Sequence, residues 1–93
     1  MQSKSVYKVP NGKLLKIFLD YDNDLINNIR ITGDFFAYPE ESIDILEEKL
    51  KNTLLSKKDL LEKINFVIKK YKIEFIGLDA EGLIEAIIRC IIE

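Results

Sequence analysis

Along residues 5–32 the chain alternates apolar and polar positions with the period of a strand. Ser5, Tyr7 and Val9 share one parity, while Lys8 points the other way. Leu15, Ile17, Leu19 and Tyr21 fall on one side, with Lys16 and Asp20 opposite and Leu14 and Phe18 as exceptions. Between these runs Pro10-Asn11-Gly12-Lys13 reads as a turn, because Asn-Gly accepts positive φ at both positions. Asp22-Asn23-Asp24 gives a second turn signal. A third run, residues 25–32, places Ile29 and Ile31 inward and Asn28, Arg30 and Thr32 outward. One apolar face and one polar face predict a three-stranded antiparallel meander.

From Pro39 the period lengthens to that of helices. Proline suits the first helical position, and Glu40 and Glu41 complement the positive end of the helix dipole. Ile43, Leu46 and Leu50 follow at helical spacing, with Lys49 and Lys51 at the negative end. Ser56 and Asp59 resemble a capping box for a helix running to about Tyr71, with the stripe Leu60, Leu61, Ile64, Val67, Ile68 and Tyr71. Lys57 and Lys58 oppose the dipole at that boundary. Residues 73–77 read as a connector with extended character. Asp79 then caps a last helix carrying Leu83, Ile84, Ile87, Ile88 and Ile91 on one stripe. Strands first and helices afterwards predict an α+β domain, a meander with about three helices packed on one face.

Composition narrows what such a domain does. Its 93 residues, 47% of them hydrophobic, suit a single domain over residues 1–93 with one core. A formal charge of −2 with Lys and Glu interspersed along the helical half argues against nucleic acid as a partner. No apolar run approaches the length that spans a bilayer, so no membrane partner is expected either. One cysteine excludes an internal disulfide and favours a reducing, cytoplasmic setting. The absence of histidine removes the commonest general base and the commonest metal ligand.

Candidate chemistry is correspondingly sparse. Asp20, Asp22 and Asp24 imitate the start of a calcium loop, but Leu25 stands where its glycine belongs and Ile31 where its bidentate glutamate belongs. Cys90 lies beside an isoleucine stripe and reads as a packing residue. The four glycines never form a strand–glycines–helix phosphate cradle. Hence no catalytic residue, no metal site and no cofactor bound by this chain alone are expected. The segment Ile31-Thr32-Gly33-Asp34-Phe35-Phe36-Ala37-Tyr38-Pro39 is the exception to the blandness. It is a strand-to-helix corner in which Phe35 continues the inward parity and Phe36 points away. Phe36 and Tyr38 suit anchoring a partner, since aromatic residues dominate interface energetics. Asp34 suits either a turn cap or a contact across an interface.

Lys8-Val9-Pro10-Asn11-Gly12-Lys13-Leu14 and the Ile-x-Ile-x-Gly-Asp-Phe-Phe run ending at Phe36, with Tyr38-Pro39-Glu40 and then Leu46, Glu47 and Leu50, resemble the C-terminal domain of lipoate–protein ligases. The likeness covers roughly residues 6–51, and beyond them only the layout agrees. The family often has glycine where Asn11 stands, a minor departure because both accept the turn. In single-chain ligases this domain follows a large catalytic domain, whereas this sequence opens with it. The resemblance therefore implies the small accessory subunit of a two-protein, archaeal-type ligase, with a fold similar to sulfur-acceptor and iron–sulfur scaffold proteins.

That resemblance further implies a large partner subunit holding ATP, magnesium and lipoate, which forms lipoyl-adenylate. The lipoyl group then passes to a lysine of carrier domains in 2-oxoacid dehydrogenase or glycine-cleavage proteins. This chain would be non-catalytic and needed for the activation step. Lys8, Gly12, Lys13, Gly33, Asp34, Phe36 and Tyr38 are its candidates for contacting the partner or closing its site. A sulfur-relay or iron–sulfur assembly role is the alternative, and it requires an exposed thiol.

Overall fold

The computed structural model describes residues 1–10 and 12–91. Strands β1 (Gln2–Lys8), β2 (Leu14–Asp22) and β3 (Leu25–Gly33) form the expected antiparallel meander in the order β1-β2-β3. Leu15, Ile17 and Leu19 of β2 and Ile29 and Ile31 of β3 are buried on one face. Ile26 is buried as well, although its even parity predicts the opposite side. A register shift at Asp20/Tyr21, where Asp20 pairs with Asn28 and Tyr21 with Ile26, leaves Asn27 as an extra residue and resets the alternation.

Both hairpin connections fall where the sequence places turns, but their lengths differ. Between β2 and β3, Asp22 pairs with Leu25, so Asn23 (φ 49°) and Asp24 (φ 68°) make the tight turn alone. The Asn-Gly signal instead falls in a five-residue loop, residues 9–13, since pairing ends at Lys8 and Leu14. Asn11 itself lies outside the described residues. Val9 folds back into the core from this loop.

Helix α1 (Ser42–Lys49) lies against β3, α3 (Ala80–Arg89) lies against β1 and β2, and α2 (Lys57–Tyr71) packs on both helices. Leu46, Leu60, Ile64, Val67, Leu83 and Ile87 are fully buried in the resulting layer. Ser56 Oγ accepts from Asp59 N, and Asp79 Oδ1 accepts from Gly82 N at 2.6 Å, so both expected caps form. Each contributes about 1 kcal/mol. The first departs from a capping box in one respect: Asp59 Oδ2 accepts from the Ser56 hydroxyl rather than reaching back to the cap backbone. Leu61, counted in the α2 stripe, is 41% exposed, because a neighbour one residue from Leu60 is rotated about 100° around the helix.

Pro39 does not start α1. It follows a cis peptide bond, its carbonyl accepts from Ser42 N at 3.0 Å, and α1 begins three residues later after Glu41. The reason is an element absent from the sequence expectation. Residues β4 (Phe36–Tyr38) and β5 (Glu74–Ile76) pair antiparallel as a separate two-stranded sheet, which holds the chain extended through Tyr38. A residue before proline disfavours the helical region, so this pairing and Pro39 act in the same direction.

Small polar groups finish the packing. Ser3 and Ser5 point inward from β1, and their hydroxyls donate to Cys90 O (2.6 Å) and Ala86 O (2.7 Å). The last turn of a helix runs short of intrahelical donors, and the serine hydroxyls serve two of its carbonyls here. Glu47 of α1 accepts from Ile31 N at 2.8 Å and so occupies a donor on the β3 edge.

Candidate functional site at the hairpin–corner junction

One end of the molecule gathers both motif blocks. Val9 N donates to Lys13 O (3.1 Å) and Gly12 N donates to Val9 O (2.8 Å), which closes the 9–13 loop on itself. Lys13 N then donates to Gly77 O at 2.9 Å, tying the loop to the segment between β5 and α3. The approach is close enough that a Cβ on Gly12 would lie 2.8 Å from Gly77 O. On the other side, Asp34 N donates to Leu14 O at 3.1 Å. There Gly33 has φ 153°, and a Cβ on it would stand 2.2 Å from the same carbonyl. Only glycine lets the chain bend past β2 at that point.

The ring closes through the small sheet. Phe36 pairs with Ile76, Ala37 with Phe75 and Tyr38 with Glu74. Phe35 and Phe75 pack against the core, whereas Phe36 (63% exposed), Tyr38 (54%) and Ile76 (51%) turn outward together. Phe36 and Ile76 are direct cross-strand neighbours, and Tyr38 lies two residues along the same face of β4. Side chains so placed form an apolar, aromatic surface carried on the β4–β5 ladder.

The predicted residues divide accordingly. Gly12, Lys13, Gly33, Asp34 and Phe36 meet around Leu14 and Gly77, and Tyr38 extends that surface along β4. Asp34 uses its backbone, not its side chain, to hold the bend, and its carboxylate is exposed. Lys8 stands apart, paired with Leu14 on the open face of the meander. Among the described residues, Lys8, Lys13 and Asp34 make no ion pair. Ile76 and Gly77 were not singled out from the sequence. Their only signal is the short alternation Ile73-Glu74-Phe75-Ile76 before a glycine.

The corner presents an exposed apolar surface of the kind that contacts a partner. Among the described residues no group of three or more Asp, Glu or Cys side chains is placed to hold a metal ion. Asp22, whose carboxyl is pulled below its ordinary value, lies at the opposite end of the meander. A hydrogen bond from Asn27 and the nearby N-terminal ammonium hold it low. Cys90 is 3% exposed, with Sγ 3.7 Å from Ala86 O, and so does not present the accessible thiol a sulfur relay needs. Among the described residues no helix is long and apolar enough to cross a membrane.

Known proteins share this chain's pattern nearly end to end. Residues 4–87 match the family described as bacterial lipoate protein ligase C-terminus. Over 90 residues the chain is 36% identical to lipoate-protein ligase A subunit 2 of Thermoplasma acidophilum, covering 94% of this chain and 87% of that one. A solved structure of an archaeal lipoylation system, a bi-partite lipoate protein ligase and its E2 lipoyl domain from Thermoplasma acidophilum, contains a similar chain. The TM-score is 0.82 at 29% identity, with 94% of each chain covered.

Proposed function

The chain belongs to the bacterial lipoate protein ligase C-terminus family, and we propose that it is the accessory subunit of a two-protein lipoate–protein ligase. The observation that carries this reading is the near full-length likeness to a protein named as the second subunit of such a ligase. The geometry agrees with it. The corner offers an exposed aromatic surface, which suits a subunit acting through a partner.

In this reading the large subunit holds ATP, magnesium and lipoate in the cytoplasm. The lipoate carboxylate attacks the α-phosphorus of ATP and expels pyrophosphate. A carrier lysine of a 2-oxoacid dehydrogenase or glycine-cleavage protein then attacks the acyl carbon and releases AMP. This chain takes part in the first step. Seated through Phe36, Tyr38 and Ile76, it closes over the partner's site, orders its loops and keeps water from the mixed anhydride. Lys13, held against Gly77 at the rim of the corner, lends positive charge toward the phosphates. An unchanged adenylation rate in Lys13→Ala would remove it from that role.

The test is lipoate-dependent pyrophosphate release by the large subunit with and without this chain. Release should require both proteins, while preformed lipoyl-adenylate should be transferred to the carrier without this one. Equal release by the large subunit alone would overturn the activation role.

A further inference from the structure

The open face of the meander carries a charge pattern that the aromatic corner does not explain. Lys4, Phe18 and Arg30 stand abreast across β1, β2 and β3, and Val6 stands beside Lys16 in the next row. Lys8 completes the face at the end of β1. Neighbouring strands are about 5 Å apart, so the four cations share a patch roughly 10 Å across the strands. Among the described residues none of the four makes an ion pair. Asp20 and Asp22, two residues apart on β2, sit at the far end of this face with Oδ1 atoms 3.8 and 3.4 Å from the N-terminal ammonium. This unneutralised patch belongs to a chain whose formal charge is −2.

Protection of a sheet edge accounts for part of the pattern only. Lysines on an edge strand discourage edge-to-edge pairing, which covers Lys4 and Lys8. Lys16 is on the central strand, and its position has no edge to protect. Lys16 lies diagonal to Lys4, Lys8 and Arg30, which gathers four like charges on one face where a partner's acidic groups would meet them together. The centre of the patch is apolar, with Val6 61% exposed and Phe18 half-buried. An apolar centre with charges around it is the anatomy of a protein interface. A nucleic-acid sheet face would instead present two or three stacking aromatics on a basic domain, and Phe18 is a single ring on an acidic chain.

The face also runs into the corner. Lys8 pairs with Leu14, and the Leu14 carbonyl accepts from Asp34 N. We propose that the open face of the meander docks on an acidic surface of the large ligase subunit, with Lys4, Lys8, Lys16 and Arg30 surrounding Val6 and Phe18. The inference rests on the reading of this chain as that subunit's partner. The corner supplies the apolar anchor, and the basic face steers the two proteins together and sets their orientation.

Association of the purified full chain with the large subunit tests this, measured by stopped flow at several salt concentrations. The wild type should associate more slowly as salt rises. Lys16→Glu/Arg30→Glu should associate about 10-fold more slowly at low salt and lose most of that salt dependence, with dissociation changed less. The neutral pair Lys16→Gln/Arg30→Gln should fall between them, and circular dichroism checks that each variant is folded. If the wild type binds and the reversed variant binds with the same rate and salt slope, the basic face is not the dock. A wild type that does not bind the large subunit overturns both this inference and the accessory reading. Charge-dependent binding to a single-stranded oligonucleotide, or charge-dependent self-association, with large-subunit binding unaffected, would reassign the face to that partner.

Discussion

At one end of the meander β2 passes into β3 through Asn23 and Asp24 alone, while at the other residues 9–13 join β1 to β2. Both connections carry turn-forming residues, yet their bonding differs. The Asn23–Asp24 end combines one local contact, Asn27 Nδ2 donating to Asp22 Oδ2 at 2.8 Å, with one distant segment, since Asp24 O accepts from Leu55 N at 2.7 Å and Ile26 N donates to Thr53 O at 3.0 Å. The 9–13 end is fastened to the core by Val9, to Gly77 by Lys13 N, and to the Gly33–Asp34 bend through Leu14. A turn tied to one segment through its backbone, with both side chains exposed, tolerates substitution. A loop that also fixes two other segments does not, and that is the end where the aromatic surface is built.

The most damaging way to break this contrast is at Gly33. A Cβ there would stand 2.2 Å from Leu14 O, at a φ that side chains rarely adopt. Gly33→Ala should cost about 2–3 kcal/mol of unfolding free energy by urea titration. It should also shift the amide resonances of Lys13 and Asp34, since the bend and the loop share Leu14. A loss below about 0.5 kcal/mol would mean the backbone bends elsewhere and the junction is not rigid.

Phe36 tests the surface rather than its scaffold. Because it is exposed and only its neighbour Phe35 packs on the core, Phe36→Ala should leave stability within about 0.5 kcal/mol. Its complex with the large subunit should weaken by about 2 kcal/mol, roughly 30-fold in Kd. Unfolding of the variant would assign Phe36 to the core instead. Full affinity would move the anchor off the β4–β5 face.

The sequence pattern made the meander and the caps readable for a local reason. Leu15, Ile17 and Leu19 alternate within one strand, and Ser56 and Asp79 each bond an amide three residues away. What stayed hidden depends on distant partners. β4 and β5 are three residues each and pair Phe36 with Ile76, far along the chain, so neither shows a period of its own. Missing them also turned Pro39 into a helix start, because nothing local reveals that Tyr38 is held extended. The same holds for Ile26, whose parity is reset by a bulge. At the site, residue types in the 9–13 loop and in Gly33-Asp34-Phe35-Phe36 were legible as unusual. Ile76 and Gly77 were not, since tertiary pairing alone brings them there.

The opposite end should accept change. Asp24 holds φ 68°, a conformation glycine adopts without strain, and its side chain is exposed. Asp24→Gly should therefore alter stability by less than about 1 kcal/mol and leave affinity for the large subunit unchanged. A loss like that of Gly33→Ala would erase the distinction between the two ends.

The smallest expected effect concerns Asp22, and it sharpens the comparison because it is confined to one end of the meander. Its carboxyl is held below the ordinary value of 3.8 chiefly by the hydrogen bond from Asn27, with the N-terminal ammonium adding to it. A lowered folded value means that ionised Asp22 favours the folded state above the unfolded value, and that this contribution is lost as pH falls through the folded one. Asn27→Ala removes the largest cause. The Asp22 titration, followed by carboxyl carbon NMR, should then move up toward the ordinary value, and stability should depend less steeply on pH in the acid range. The side chain is fully exposed, so solvent keeps the energetic consequence small. The resonances of Lys13, Gly33 and Phe36 should not move with it. If they did, the two ends of the meander would be coupled, and the rigidity assigned to the hairpin–corner junction would depend on the Asn23–Asp24 turn.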